Sequence, residues 1–543
     1  MYGVRPSGQF GGLAELGGAP LIIIQDQQEK KRLTGHEAHK ANLMAGIKVA
    51  ETVRTSFGPK GMDKIVISQD GDVVVTNDGA TILKKMPVEH ECARLLVELS
   101  QSQDDQIGDG TTGVVILAGA LLQKALKLLD KNLHPIKIAN GFEKASRVAI
   151  ARCEEVASRL SLEDEEALVK AAKTSLCSKV VSSESEKLAR IVVQAVLAVA
   201  DKERGDVNLD LIKVEYKPGG RLADTKLVDG IALDKTFSHS QMRTEIQDAK
   251  IAILTCPFEP PKPKTKHKLT VKSREAYKEL VDKEQEYFKD MVAKVKASGA
   301  NVVMCQWGFD DEANHLLFQN DLPAVRWVSG NEIELISLAT GGPIVPRFED
   351  LTPEKLGTAK CVREISMGTE DDRLVLVEGC PGGRAVTILI RGSNLMATQE
   401  AKRCIHDALC VVRNLVADTR VVPGGGAVET ACSLRVLEEV KKTTDLDQHA
   451  MEAFAEALMA VPEALSENTG LNAVETLGKL RAEQLNQKNP NLGVDCYQGQ
   501  VTDMLANQVY ESLSSKTHQI ALATQVVKMI LKIDDIIVPN SDQ

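Results

Sequence analysis

Aromatic side chains are scarce in this 543-residue chain, where phenylalanine, tyrosine and tryptophan together make up 3%. Aliphatic residues and alanine must supply the apolar surface, a balance that favours helix-rich packing. Long apolar runs are missing as well. The longest, Val114 to Leu122, is about half of the ~20 residues a membrane-spanning helix needs, and Leu21 to Ile24 is shorter still. Basic charge is not in excess: 66 lysines and arginines face 76 aspartates and glutamates, for a formal charge of -10. That disfavours a nucleic-acid binder, whose affinity rests largely on neutralising phosphates. The eleven cysteines form no Cys-x-x-Cys pair and follow no secretory signal, so reduced thiols in a soluble cytosolic protein are expected. Solenoid-type repeats are absent. So is the Walker A sequence G-x-x-x-x-G-K-[ST], which disfavours a P-loop nucleotidase and means that any phosphate site must use other glycines.

Such glycines are present. Residues 108 to 113 read Gly-Asp-Gly-Thr-Thr-Gly, a loop able to wrap phosphate in backbone N–H groups while Asp109 offers a carboxylate to a metal ion. The same letters satisfy the G-x-G-x-x-G of dinucleotide-binding folds, but that fingerprint needs a strand immediately before it. Here Cys92, Leu95, Leu96 and Leu99 recur at helical spacing. After the loop, Val114, Val115, Ala118, Leu121, Leu122 and Ala125 repeat the same period. The unit therefore reads as helix, acidic glycine loop, helix, with the second helix's N-terminus facing the anion.

Two further glycine loops, Gly58-Pro59-Lys60-Gly61 and Gly424 to Gly426, are compatible with either phosphate contact or plain turns. Asp78, in Asn77-Asp78-Gly79, reads as a plain turn former or as a second acidic turn beside the phosphate loops. Asp407, on the helical segment Cys404, Ile405, Ala408, Val411, Val412, reads equally as a surface carboxylate or a site residue. His36-Glu37-Ala38-His39 is one residue short of the zinc-protease H-E-x-x-H and reads as a solvated helical turn. Cys404 and Cys410 read as core residues without an evident histidine partner.

Along the chain, a glycine-rich N-terminal arm precedes a helix from Glu37 to Thr55, a hairpin of Ile65–Ile67 with Val73–Val75, and the helices around the acidic loop. Pro135 is placed to start another long helix. Pro218-Gly219-Gly220 marks a hinge, beyond which Ile251–Leu254, Val302–Cys305 and Ala324–Val328 read as buried strands, with a helix from Asp311 to Gln319. Residues 229 to about 378 thus look like an inserted α/β domain. It carries a lysine-rich stretch, Lys262 to Lys268, read as a solvated edge, and a charged helix whose apolar stripe runs from Tyr277 to Val295. From Thr398 to Leu531 the pattern is again helical. Two helix-rich ends that bracket an insertion are expected to fold together.

Taken together, Thr55-Ser56-Phe57-Gly58-Pro59-Lys60-Gly61-Met62-Asp63-Lys64, Val75 to Leu83, Gly108-Asp109-Gly110-Thr111-Thr112 and Val422-Pro423-Gly424-Gly425-Gly426 occur in the order seen in group II chaperonins. The resemblance spans nearly the whole chain. Within the family, Cys256 to Lys264, Gln306 to His315 and Ala324 to Trp327 resemble the eukaryotic cytosolic branch. The resemblance implies a multidomain α+β fold. Its parts would be a mostly helical equatorial ATPase domain (1–160 and 415–543), a small hinge-like intermediate domain (161–228 and 379–414), and an α/β apical domain (229–378) with a helical lid protrusion at about 259–296. It implies ATP or ADP with Mg2+ as cofactors, and K+ as a further candidate ion. The implied partners are seven paralogous subunits in an eight-membered ring, two rings stacked, and non-native substrates such as actin and tubulin, with neither nucleic acid nor membrane.

By the same resemblance, Asp109 is the metal ligand; Gly58, Pro59, Gly110, Thr111 and Thr112 hold phosphates; Asp78 and Asp407 face the attacking water as catalytic residues. Gly425, Gly493, Asp495, Glu511 and Lys516 meet ribose and adenine, and Ser178 and Lys179 sense the terminal phosphate. Ser512 stands where the family often has proline, and Gly113 replaces a frequent third threonine, which removes one hydroxyl. Two other readings compete with an ATP-hydrolysing chaperone. One is a ring subunit that holds nucleotide with low turnover and acts mainly through geometry and substrate contacts; the other is a nicotinamide oxidoreductase, for which the helical flanks leave little room.

Overall fold

The structure is a computed structural model that describes the chain apart from residues 1–14, 17–18, 21–34, 68–70, 72, 163, 178, 202–203, 261–269, 272, 369–371, 383–384 and 536–543. The glycine-rich arm, Ser178 and the run Lys262 to Lys268 therefore lie outside the described residues.

Three large apolar cores, with two small clusters beside them, organise the described residues. The first is built by helices from both ends of the chain: His36–Arg54, Glu91–Gln106, Thr111–Asp130, Pro135–Val156, Ala427–Val440, Asp447–Leu458 and Leu513–Leu531. Thr111–Asp130 runs through its middle, with Val114, Val115, Ala118, Leu121, Leu122 and Ala125 fully buried. By length and composition this helix could cross a membrane, which the nine-residue apolar run alone did not suggest. Its neighbours cover most of it, as expected of a core helix in an aromatic-poor protein.

The second core packs beside helices Glu165–Leu176, Ser185–Val199 and Leu395–Ala417 and a three-stranded sheet. In that sheet Ile212–Pro218, leaving for the inserted region, pairs in parallel with Val386–Gly392, returning from it. Gly219 and Gly220 follow with positive φ, where the hinge is expected. Strand Arg420–Pro423 joins these two cores, because alternate strand residues face opposite sides: Val421 points into one core and Val422 into the other.

The third core lies in the insertion under a six-stranded mixed sheet ordered Ala324–Val325, Val302–Cys305, Glu245–Leu254, Gly357–Ser366, Arg373–Glu378, Gly230–Leu233. Helix Asp311–Gln319 spans the expected residues. The expected strand Ala324–Val328 is shorter, two residues long, because Trp327 takes a φ of 58° that no strand accommodates. In helix Arg274–Ala297 the apolar stripe divides: Phe288, Met291, Val292 and Val295 enter the core while Tyr277 and Leu280 stay exposed. The C-terminal third also departs from all-helix. Strands Leu492–Asp495, Gln500–Asp503 and Tyr510–Ser512 interrupt it, each too short to leave a period of its own.

Candidate functional site

The acidic loop sits at the junction of the first two cores. Helix Glu91–Gln106 ends when the Gln103 carbonyl accepts from Ile107 N and Gly108 N, and helix Thr111–Asp130 starts at Gly110. Gly110 has a φ of 76°, and the place a Cβ would occupy is filled by the Gln519 side chain, so only glycine fits. Because Gly110 has no side chain to cap the helix, the first N–H groups of a twenty-residue helix are left for an anion.

Asp78 caps the neighbouring helix, Gly79–Lys85. Its carboxylate accepts from Ala80 N at 3.3 Å, Thr81 N at 2.8 Å, Thr81 Oγ1 at 2.7 Å and, across the site, Thr111 Oγ1 at 2.9 Å. Burial works to raise its pKa, but the Lys179 ammonium and these donors outweigh burial and hold Asp78 below the ordinary value. The turn after Gly58 is tied to the same place. Asn77 Nδ2 reaches Asp63 Oδ1 at 3.2 Å and Gly61 O at 3.4 Å, and Gly61 N closes on Gly58 O at 3.0 Å.

From the second core come Lys179 and Asp407. They form a direct ion pair with side chains 12% and 14% exposed. Helix Leu395–Ala417, which carries Asp407, is fastened to the acidic loop by Arg413 Nη2 to Gln106 O at 3.1 Å and Asn414 Nδ2 to Ile107 O at 2.9 Å. It also meets the first hairpin through Thr76 Oγ1 and Glu400 Oε1 at 3.0 Å. Burial, with help from the Asp78 and Asp109 carboxylates, pushes Asp407 up to about 8 despite its contact with Lys179. Lys179 resists burial because Asp407 and Asp78 surround it, and it stays charged. Asp109 is also raised, first by burial and then by Asp78, against the pull of Lys179, the Gly110 N–H and Lys516.

Lys516 belongs to a second charge cluster. Its Nζ lies 2.6 Å from Glu429 Oε1 and 2.6 Å from Glu511 Oε2, with Lys516 and Glu429 side chains 7% and 6% exposed. Glu511 is raised by burial, by Glu429 and by Asp109, with Lys516 opposing. Strand pairing of Val422 with Glu511 brings this cluster beside Gly424 to Gly426. Gly493, on strand Leu492–Asp495, packs against the carbonyls of Gly424 and Gly425, 3.0 Å from where its Cβ would stand. Asp495 differs from the other candidates: its carboxylate is engaged by its own turn, accepting from Tyr497 N at 2.8 Å and Gln498 N at 3.1 Å.

Glu429, Asp104, Gln103 and His518 were not singled out in the sequence. Asp104 is half-buried and is raised by burial and then by Asp78. The available signal was a charge in core phase: Glu429 follows Ala427-Val428 inside an apolar segment, yet is buried. Cys404 and Cys410 are buried as expected, but Cys410 has a histidine neighbour after all, His406 Nε2 at 3.7 Å. The thiol stays protonated, since burial pushes Cys410 up to about 12. All eleven cysteines are free.

Among the described residues no group of three or more His, Cys, Asp or Glu forms a self-sufficient metal cage. A hard, oxygen-only site with Asp109 as the protein carboxylate fits magnesium, which uses one or two carboxylates plus phosphates and waters.

Residues 49–541 match the profile of the TCP-1/cpn60 chaperonin family. Over 524 residues the chain is 48% identical to T-complex protein 1 subunit epsilon of Encephalitozoon cuniculi, covering 96% of this chain and 98% of that one. It is 43% identical over 522 residues to a thermosome subunit of Methanocaldococcus jannaschii, covering 96% of each. A thermosome subunit of Pyrococcus abyssi is 40% identical over 527 residues, covering 97% of this chain and 95% of that one.

Proposed function

Because the chain belongs to the TCP-1/cpn60 chaperonin family, we propose that the junction of its first two cores is the ATPase site that drives an ATP-dependent chaperone of the group II type. The observation that carries this reading is the convergence of Asp78, Asp407 and Lys179, on two separate cores, upon one glycine loop containing Asp109. Backbone N–H groups of Thr111 and Thr112 hold phosphates, with Gly110 and the turn at Gly58 and Pro59 beside them. Magnesium at Asp109, when bound with the nucleotide, offsets phosphate charge. Asp78, kept ionised and oriented by its four donors, aligns the attacking water. Asp407, raised toward neutral pH, accepts that water's proton, so two carboxylates with pKa values pushed apart take two roles. Gly425, Gly493, Glu511 and Lys516 line the ribose and base side, with Asp495 behind its own turn.

On this reading the first core is the equatorial domain, the second the intermediate hinge, and the insertion the apical domain with its protrusion. The chain works as an epsilon-type subunit of a cytosolic, eight-membered double ring that encloses non-native proteins such as actin and tubulin, with K+ as a second ion. The test is turnover by the assembled ring with the other subunits' sites inactivated. Asp407→Ala should still bind ATP and hydrolyse it about 10² to 10⁴ times more slowly. Unchanged turnover would remove Asp407 from the mechanism, and nucleotide bound without turnover in the unaltered chain would leave a holding subunit instead.

A further inference from the structure

The acidic loop is flanked by Gly108 and Gly110, with φ of 74° and 76°, so little in its own covalent structure sets the direction of the Asp109 peptide. One buried side chain sets it. Gln103 Nε2 donates to the Asp109 carbonyl at 2.8 Å, while the Gln103 backbone carbonyl holds the N–H groups of Ile107 and Gly108 at 3.0 Å and 3.2 Å. A trans peptide points its C=O and the following N–H in opposite directions. Holding the Asp109 carbonyl therefore aims the Gly110 N–H the other way, toward the Asp109 carboxylate, whose ionised form it favours.

The Gln103 amide is itself held. Its Oε1 lies 3.0 Å from His518 Nδ1 on helix Leu513–Leu531. Reversing the amide would set Oε1 against the Asp109 carbonyl, two acceptors face to face. His518 must then carry its proton on Nδ1, which both the neutral tautomer and the charged ring can do. The next residue of that helix is Gln519, bonded to Ser515 Oγ one turn earlier at 3.0 Å and packed beneath Gly110 and Gly113.

We infer that Gln103 and His518 are positioning residues for the metal-binding carboxylate: His518 orients the Gln103 amide, Gln103 orients the Asp109 peptide, and the peptide aims the side chain. This rests on Asp109 being the metal ligand of the proposed ATPase site. Partners one step removed from a metal commonly change its affinity by about 10- to 100-fold when lost.

The test uses the full-length chain in its ring with the other subunits' sites inactivated, and Mn2+ in the presence of ADP as the probe, read by electron paramagnetic resonance. Gln103→Leu and His518→Leu should each weaken Mn2+ binding about tenfold, with KM for ATP at saturating Mg2+ changed by less than about twofold. His518→Gln, whose amide N–H can donate to Gln103, should restore Mn2+ binding. Size exclusion and the unfolding midpoint confirm that each ring is assembled; if Gln103→Leu fails to assemble, the two His518 variants decide. Unchanged Mn2+ affinity in an assembled Gln103→Leu or His518→Leu ring would overturn the inference. So would a His518→Gln ring as weak as His518→Leu. An unaltered ring that binds no Mn2+ with ADP would overturn the reading of Asp109 itself, and this inference with it.

Discussion

Lys516 and Lys179 are both buried, both paired with carboxylates and both felt by Asp109, yet they are mounted differently. Lys516 and its partners Glu429 and Glu511 stand on two helices and a strand that the first core and the Val422–Glu511 pairing lock together. Lys179 and Asp407 stand on elements of the second core, and meet Asp78 and Asp109 only where that core touches the first. On the proposed reading this is a division of labour: the charges assigned to nucleotide stand within one core, whereas the carboxylate assigned to take the proton stands on another and reaches the acidic loop across the junction.

The comparison is broken most severely by Lys516→Met. With the ammonium gone, Glu429 and Glu511 are left buried against each other, and losing one side of such a pair typically costs about 3–5 kcal/mol. We expect a large fall in unfolding midpoint together with weakened nucleotide binding, read by calorimetry and ADP titration. Lys179→Met should cost less stability, because it removes the direct partner of one carboxylate, Asp407, where Lys516→Met removes that of two. Its signature is kinetic: hydrolysis slowed by about 10²-fold with ADP affinity nearly kept. If both substitutions gave the same ratio of stability loss to rate loss, the division of labour would be wrong.

How much of this was legible beforehand follows from what kind of pattern each part leaves. Helix His36–Arg54, the hairpin strands Lys64–Ile67 and Val73–Thr76, and helix Asp311–Gln319 were visible because periodicity and turn residues are local. Asp109 was conspicuous between glycines. Gln103 was not, since a buried polar residue in a helix reads like any surface residue until its neighbours are known, and Glu429 left only its place in an apolar segment as a signal. Strand Tyr510–Ser512 was hidden for a related reason: it is defined by its partner Arg420–Pro423, far away in sequence, whereas Leu492–Asp495, paired locally, was hidden by its shortness.

A pH profile sharpens the same contrast. Asp407 sits at about 8 in the folded chain, so its carboxylate is formed, and able to accept a proton, only as pH rises through that value. The kcat/KM for ATP, which reports the free enzyme, should therefore rise with pH up to about 8 and then level off. Lys179→Met removes the cation that favours the ionised form and should move this limb upward. Lys516→Met acts on Glu511 and Asp109 and should leave its midpoint nearly where it was. A profile flat from pH 6 to 9 would remove Asp407 as the titrating base.

The smallest effect expected is also the control that gives the others meaning. Lys479 pairs with Glu475 one helical turn earlier, Nζ to Oε1 at 2.6 Å, a shorter contact than many in the site. Both side chains are more than half exposed, however, at 62% and 59%. Water solvates each charge almost as well as its partner does, and holding two long side chains together costs entropy, so exposed pairs contribute little whatever their distance. Lys479→Met should leave the unfolding midpoint and ATP turnover unchanged within error. A loss comparable to that of Lys516→Met would mean that removing any paired lysine destabilises this chain, and burial between two carboxylates would no longer distinguish the lysines that flank the acidic loop.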